Sequence, residues 1–189
     1  MDLKSTSIKS GGPPSVKIDG YLTESKLSSA LQRLLPDGWL GDQVHVEGSR
    51  YRWDMSFQMD GIVTVVEYDG DEHYRHSLKI KSDRAKNEIA RKQGCKVVRF
   101  PYWIQLDNLT LPHYFGLQAE IEQSFPHGFI TTKLFPASFC ELGVERFRTE
   151  LLALPMSVRE AVILSLRKGV AAHGLLYVLP TSLADIVAE

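Results

Sequence analysis

Residues 66–74 read VEYDGDEHY, and this stretch decides how the rest of the chain is interpreted. It continues an apolar run that begins at Ile62, and the run breaks at Gly70. Short apolar runs bounded by turn residues are typical of buried strands, so we predict a central strand over 62–69. Carboxylates and one histidine crowd the end of that strand, and carboxylate oxygens are ligands that hard divalent cations prefer. The stretch therefore predicts a metal site at a strand end.

The composition is that of a globular protein. The 189 residues suffice for one domain, and the formal net charge of -1 at pH 7 gives no overall attraction to polyanions. Cys95 and Cys140 lie in apolar surroundings without zinc-ligand spacing, which indicates reduced thiols.

No stretch approaches the roughly 18 apolar residues of a membrane span, so we expect a cytoplasmic protein without a membrane partner. The absence of a Gly-rich phosphate loop, a Gly-x-Ser-x-Gly elbow and a Cys/His nucleophile pair excludes NTPases, serine hydrolases and cysteine proteases.

The order of the predicted elements indicates a mixed α/β fold with a hairpin at its centre. A turn at 59–61 is expected to join the two strands of the hairpin. The predicted elements are, in order, a helix over 22–35, strands over 44–46, 51–57 and 62–69, a helix over 77–93 and a strand over 96–100.

We divide the chain into a flexible tail over 1–20, an α/β core over 21–125 and a helical C-terminal extension over 126–189. The tail is rich in Ser, Lys, Gly and Pro. The extension is expected to contain two amphipathic helices and a last short one. The remaining predicted elements are a helix over 118–123, an ambiguous segment over 131–140, and helices over 144–154, 158–170 and 183–187.

Asp54 and Glu67 lie on the two strands of the predicted hairpin. If these strands pair about the turn at 59–61, both side chains project from one face near one end, and the register decides this. Such a pair offers oxygen ligands to Mg²⁺, with Mn²⁺ as a substitute. Since Mg²⁺ activates water and stabilises phosphoryl oxygens, the pair predicts phosphodiester hydrolysis. The alternative is two ordinary surface carboxylates, which are common on strands.

The other polar residues of the opening stretch have several interpretations. Asp69 shares a face with Glu67 and is a further ligand or a positioning group. Asp71 and Glu72 follow the glycine and are interpreted as solvated loop acids. His73 is a candidate general acid or base, because its ordinary pKa lies near neutral pH. Contact with a phosphate and a purely structural role are the alternatives for His73.

The predicted helix over 77–93 and the strand after it carry a local excess of positive charge. Eight basic and two acidic residues lie between Lys79 and Arg99. A basic patch beside a carboxylate site is what a nuclease needs to hold a polyanion, so DNA is the expected partner. The alternative is a solvated helix face with a Lys79–Asp83 pair, although Asp83 is also spaced to face His73. The candidate nucleic-acid-binding residues are Lys79, Lys81, Arg84, Lys86 and Arg91.

Three segments resemble, in this order, the PD-(D/E)XK nuclease superfamily, in the branch of the very-short-patch repair endonucleases and the EDxHD homing endonucleases. They read VEYDGDEHY at 66–74, DRAKN at 83–87 and GCKVVRFPY at 94–102. The resemblance covers about residues 22–103 and implies a restriction-endonuclease-like core, with a mixed sheet of four to five strands flanked by helices. The C-terminal third lies outside the resemblance.

The resemblance also implies roles for individual residues. It implies that Asp54 and Glu67 hold Mg²⁺, and that His73 and Asp83 act together at the scissile phosphate. One departure is that Asp69 stands two positions after the second carboxylate, where the superfamily has a lysine. The catalytic set that it implies is Glu24, Asp54, Glu67, His73 and Asp83, with Asp69 and Lys86 in supporting roles.

The expected function is therefore a Mg²⁺-dependent DNA endonuclease of the restriction, repair or mobile-element type. Two alternatives stay open. One is a nuclease-fold DNA-binding module without catalysis, which the missing lysine favours. The other is a protein-interaction subunit in which residues 144–170 pair with a partner, and a homodimer through the C-terminal helices is a related hypothesis.

Overall fold

The computed structural model describes residues 14–47 and 49–188. The strands in this part of the chain are β1 (Ser15–Ile18), β2 (Trp39–His45), β3 (Arg52–Met59), β4 (Ile62–Asp69), β5 (Lys96–Pro101) and β6 (Glu120–Gln123). The helices are α1 (Glu24–Leu34), α2 (Glu72–Arg75), α3 (Ser77–Lys92), α4 (Thr110–Phe115), α5 (Glu141–Ala153), α6 (Met156–His173) and α7 (Leu175–Val178). Short 3-10 helices cover Thr132–Leu134, Pro136–Ser138 and Thr181–Val187.

The larger sheet has four strands in the order β2-β3-β4-β5. The β2–β3 and β3–β4 pairs are antiparallel, whereas β4 and β5 run parallel. A parallel pair needs a crossover connection, which α2 and α3 provide. β4 lies between two strands and is buried over 64–67, as its apolar sequence predicts. The predicted mixed α/β fold, with helices around the sheet and a helical C-terminal region, is confirmed.

The β3–β4 hairpin sets the position of the conspicuous carboxylates. Its Asp-Gly turn at 60–61 has positive φ at both residues, 51° and 77°. Asp-Gly favours this turn geometry, which matches the twist of the flanking strands. Backbone pairing of the two strands ends at Met55 and Val66. The next residues along the two strands are Asp54 and Glu67, so the predicted hairpin is confirmed and its register brings these two carboxylates together.

A second sheet pairs β1 with β6 in parallel. Val16 and Ile18 of β1 are buried, which contradicts the flexible tail predicted over 1–20 at its C-terminal end. Residues 1–13 of that tail lie outside the described residues. β6 likewise contradicts the helix predicted over 118–123. Local periodicity does not reveal either strand, because each one is stabilised by a partner far away in the sequence.

The remaining predicted elements are close to the observed ones. Helices occupy the predicted positions at α1, α3, α5 and α6, and β2 begins at Trp39, earlier than predicted. The ambiguous segment over 131–140 contains two 3-10 helices. Within residues 14–47 and 49–188, no helix has both the length and the apolar character needed to cross a membrane.

The C-terminal helices pack onto the same hydrophobic core as the sheet. Phe147 of α5 meets Trp103 edge-on, with 4.9 Å between the ring centres. Gly143 lets α5 approach the α2 turn so closely that an added Cβ would lie 1.8 Å from the carbonyl oxygen of Tyr74. α5 is therefore docked directly against the turn that carries His73.

Candidate functional site

Asp54 and Glu67 meet at the end of the β3–β4 pair. The Asp54 backbone N–H donates to Glu67 Oε1 at 3.3 Å, and the Tyr68 backbone N–H donates to Asp54 Oδ2 at 2.8 Å. Backbone pairing has ended one residue earlier, so the carboxylates accept hydrogen bonds from N–H groups that the neighbouring strand no longer satisfies. These bonds fix the two carboxylates side by side.

Burial disfavours the charged forms of both carboxylates. Burial raises the pKa of Asp54 above its ordinary value, against the opposing effects of the Tyr68 N–H and Lys86. Burial also raises the pKa of Glu67, and the charge of Asp54 raises it further, while Lys86 lowers it. A bound cation would stabilise such a pair of carboxylates, because it favours their ionised forms.

Glu24 lies in the first turn of α1, within electrostatic reach of Asp54. Thr23 caps the helix by accepting the Lys26 N–H at 3.3 Å. Burial raises the pKa of Glu24, and the charges of Asp54 and Asp42 raise it further. The structure therefore places Glu24 as an exposed side chain at the positive end of a helix dipole, where the charge of Asp54 acts on it without a direct hydrogen bond between the two among the described residues.

Lys86 reaches from α3 to the carboxylate of Glu67. Its ammonium donates to Glu67 Oε1 at 2.5 Å and lies 5.1 Å from the centre of the Trp53 ring. The Lys86 side chain is 12% exposed. Lys86 is thus held inside the site and not on the open helix face that was predicted to bind DNA.

His73 lies on the α2 turn, with its ring directed at two carboxylates. Nδ1 lies 2.6 Å from Asp83 Oδ2 and 3.1 Å from Asp69 Oδ1. An ionised carboxylate only accepts hydrogen bonds, so Nδ1 carries a proton and Nε2 of the neutral ring is an acceptor. In the described part of the chain Nε2 has no hydrogen-bond partner. The His73–Asp83 contact agrees with the spacing that the sequence predicts.

Asp69 is fully buried and bound by two arginines. Arg99 donates to both carboxylate oxygens at 2.7 Å, and Arg146 of α5 donates to Oδ2. Burial alone would raise the pKa of Asp69, but Arg99 and Arg146 outweigh it and lower the pKa to about 2. Of the two predicted roles, this geometry favours the positioning group over the metal ligand.

Asp69, His73 and Asp83 form a compact group whose possible ligand atoms lie within 4.8 Å of one another. Arg99 Nη2 also lies 3.0 Å from Asp83 Oδ1, so guanidinium groups already neutralise both carboxylates. A divalent cation here would have to displace buried ion pairs. Glu67 contacts the Lys86 ammonium and lies 3.6 Å from Arg99 Nη2, whereas Asp54 has no ion-pair partner among the described residues and is the carboxylate open to a cation.

One of the five predicted nucleic-acid-binding residues, Lys86, lies inside the site. The other four are exposed on α3, namely Lys79, Lys81, Arg84 and Arg91. Arg84 also lines a cavity of about 340 Å³ between α3 and α5. The alternative Lys79–Asp83 pair is not present, because Asp83 contacts His73 and Arg99 instead.

Asp71 and Glu72 were predicted to be loop acids, but they begin helix α2. Asp71 pairs with Arg75 at 3.2 Å, and Glu72 pairs with His76 at 2.7 Å. Both pairs join residues one helical turn apart. They stabilise the short turn that carries His73, so both acids have a local structural role.

Arg99 and Arg146 complete the site, and neither was predicted as a site residue. Arg99 was counted only in the basic patch, although its place on β5 is opposite Glu67. Arg146 is separated from Asp69 by 77 residues and is half of an i,i+4 pair with Glu150. That pair is visible in the sequence, but such pairs are frequent on exposed helices and do not indicate a site.

The comparisons with known proteins identify no relative of this chain. No protein-family model, curated protein or solved structure matches this chain. A functional conclusion therefore depends on the geometry of the two connected clusters, Asp54–Glu67–Lys86 and Asp69–His73–Asp83.

Proposed function

We propose that this protein is a Mg²⁺-dependent DNA endonuclease, and the Asp54–Glu67 pair carries the proposal. The pair lies at the end of adjacent strands with an ammonium at 2.5 Å. Beside it is a histidine with one nitrogen bound by carboxylates and the other free. Phosphodiester hydrolysis needs charge stabilisation and a proton acceptor, and these groups provide both. The resemblance of three sequence segments to PD-(D/E)XK nucleases supports the same function.

The donors at the pair fit Mg²⁺. Asp54 and Glu67 present oxygen ligands, and one or two carboxylates with water and substrate phosphate are a common Mg²⁺ environment. Their raised pKa values mean that ionisation of the metal-free pair is less favourable than that of free carboxyl groups. When bound, Mg²⁺ supplies Lewis-acid stabilisation of the negative charge on the phosphate. Glu24, whose pKa is raised by burial and by the charge of Asp54, is the proposed acceptor that orients water there.

His73 is the proposed general base. Asp83 accepts the Nδ1 proton at 2.6 Å, which keeps the ring in the tautomer with Nε2 unprotonated. Arg99 connects His73 to the carboxylate pair, since its Nη2 lies 3.3 Å from His73 Nδ1 and 3.6 Å from Glu67 Oε2. In the proposed reaction, a water molecule attacking a phosphate held at Asp54 gives its proton to Nε2.

Lys86 is the proposed counterpart of the lysine that the PD-(D/E)XK pattern carries two residues after its second carboxylate. That position is Asp69, which Arg99 and Arg146 bind. Lys86 brings an ammonium to Glu67 from α3 instead, where it can stabilise charge that develops on the phosphate. The missing lysine therefore does not favour loss of catalysis, and the exposed basic residues of α3 are the proposed contacts to the DNA backbone.

A plasmid-nicking assay tests the proposed function. Wild type is expected to convert supercoiled plasmid to the nicked or linear form with Mg²⁺ or Mn²⁺ and not with EDTA. Asp54→Asn is expected to abolish the reaction. Asp37→Asn is the matched control, because Asp37 is an exposed carboxylate in the turn after α1. Equal rates for wild type and Asp54→Asn would contradict the proposal.

A DNA-binding module without catalysis is the second candidate, because the Lys86–Glu67 ion pair occupies part of the cation site. It predicts salt-sensitive DNA binding without Mn²⁺ binding. Calorimetric titration with Mn²⁺ separates the two candidates: heat of binding that is lost in Asp54→Asn supports the endonuclease, and its absence in wild type supports the binding module.

A further inference from the structure

Arg146 connects the C-terminal helices to the charged cluster around His73. It donates to Asp69 Oδ2, and its Nη1 donates to the backbone carbonyl oxygen of His73 at 3.3 Å. Its side chain is 11% exposed, and its guanidinium lies 4.6 Å from the centre of the Tyr74 ring. Arg146 thus contacts both a carboxylate that faces the His73 ring and the backbone that carries this ring.

Arg146 is itself held from its other side. Glu150 Oε1 accepts a hydrogen bond from Arg146 Nε at 2.7 Å, and Glu150 Oε2 accepts one from the Tyr74 hydroxyl at 2.5 Å. Tyr74 is fully buried and adjacent to His73 in the chain. The contacts therefore form a closed ring from the α2 turn through α5 and back, and a largely buried hydrogen-bond network of this kind restricts its members to one arrangement.

The α5 backbone docks on the same turn. The Cys140 N–H donates to the Tyr74 carbonyl oxygen at 3.0 Å, and Gly143 leaves no space between helix and turn. A backbone hydrogen bond and close packing therefore bring α5 to the turn. The polar contacts of Arg146 determine how the turn and Asp69 are oriented relative to each other.

We infer that Arg146 is a positioning residue, which keeps Nδ1 of His73 on the carboxylates of Asp69 and Asp83 and leaves Nε2 free. Arg146 donates to Asp69, to the His73 carbonyl oxygen and to Glu150, which lie on different elements. A planar guanidinium can donate to all three at once, whereas an ammonium cannot. Its catalytic consequence rests on the proposed function, whereas the state of the His73 ring can be measured without any reaction. The charged groups that face this ring are Asp69 on β4, Asp83 on α3, Arg99 on β5 and Arg146 on α5.

Nitrogen-15 NMR of the full chain, labelled at histidine, tests the inference. The His73 signals are identified as those that are missing from the spectrum of His73→Gln. In wild-type protein at neutral pH they should report a ring protonated at Nδ1. In Arg146→Lys they should move toward the tautomer mixture of an unrestrained histidine. Arg148→Lys is the matched control, because Arg148 lies on the same helix and pairs with Asp185 at 2.6 Å, but its side chain is 37% exposed. Wild-type His73 signals in folded Arg146→Lys would overturn the inference.

Steady-state kinetics give the second measurement. Arg146→Lys is expected to lower kcat for plasmid nicking on the order of ten- to a hundred-fold with KM unchanged, because misplacing a catalytic group slows the reaction without weakening binding. If wild type does not nick DNA, the proposed function fails and the NMR result still decides the inference. If Arg146→Lys does not fold, Glu150→Gln loosens Arg146 with little change of shape, and an unshifted His73 tautomer there would also overturn the inference.

Discussion

Lys86 on α3 places its ammonium 2.5 Å from Oε1 of Glu67 on β4, in a contact that is almost closed to solvent. The Trp53 ring packs against the same ammonium. An ion pair in such surroundings is not a general source of stability, since desolvation offsets much of the attraction. Under the proposed function, its position at the carboxylate pair is explained by the charge that it would present to a phosphate.

Replacing Lys86 separates this role from DNA binding. Lys86→Met is expected to slow plasmid nicking on the order of a hundred-fold, because one preorganised charge is lost from the site. It should also raise the pKa of Glu67 further, since burial already raises it and Lys86 opposes the rise. Single-turnover rates at saturating protein measure the nicking step, and a gel-shift assay measures DNA binding.

Lys81→Met is the comparison for Lys86→Met. Lys81 lies on the same helix but is exposed. Its loss should weaken DNA binding and lower the slope of log affinity against log salt concentration by about the contribution of one phosphate contact. The single-turnover rate at saturation should not change. The assignment of Lys86 fails if Lys86→Met behaves like Lys81→Met.

Asp54→Asn is expected to stabilise the metal-free protein while it removes the response to metal. Burial raises the pKa of Asp54 in the folded state, so its ionised form is less favourable there than in the unfolded chain at pH 7. Asparagine keeps an oxygen that can accept the Tyr68 N–H. Scanning calorimetry in EDTA should therefore show a Tm that is higher by a few degrees. Mn²⁺ should raise the Tm of wild type and of Asp37→Asn but not of Asp54→Asn, and an equal rise in all three would remove Asp54 from the metal site.

Asp69 should make the protein sensitive to acid. Its folded-state pKa of about 2 lies below the ordinary value of 3.8. A depressed carboxyl pKa contributes stability that is fully present above the unfolded value and is lost as the pH falls through the folded value. The difference in unfolding free energy between wild type and Asp69→Asn should thus shrink by about 2 kcal/mol between pH 6 and pH 2. Urea unfolding at several pH values measures it, and a difference that does not change with pH would show that Asp69 is not bound by the arginines as described.

The carboxylate pair could be predicted from sequence because it depends on local structure. The Asp-Gly turn fixes the hairpin register within a few residues, and alternation along β3 and β4 then brings Asp54 to Glu67. The spacing of His73 and Asp83 is similarly local, since one lies just before α3 and the other on it. These contacts need no knowledge of the rest of the chain.

The arginine contacts could not be predicted in this way. Asp69 and Arg146 are 77 residues apart, and they meet only because α5 docks on the α2 turn. That docking depends on a glycine and on aromatic packing around Phe147, which the sequence of either segment does not specify alone. The strand pair β1–β6 was missed for the same reason, because each strand has its partner in a distant segment.

Gly143→Ala tests whether α5 holds the α2 turn in place. An added Cβ would lie 1.8 Å from the Tyr74 carbonyl oxygen, so helix and turn would have to separate. Overpacking usually costs about 1–3 kcal/mol, and we expect a loss at or above the top of that range because backbone atoms must move. The gain in helix propensity, about 1 kcal/mol, offsets only part of the loss. Urea unfolding measures the change in unfolding free energy.

Gly70→Ala is the control for Gly143→Ala, because a Cβ at Gly70 meets no atom within 4 Å. Its unfolding free energy should stay within about 0.5 kcal/mol of wild type, as expected for a substitution without a steric clash. In folded Gly143→Ala the separation of α5 from the turn should also pull Arg146 away from Asp69, so the His73 tautomer should shift as in Arg146→Lys. Wild-type stability for Gly143→Ala would show that α5 does not dock on the turn, and the position of Arg146 beside His73 would then lose its structural basis.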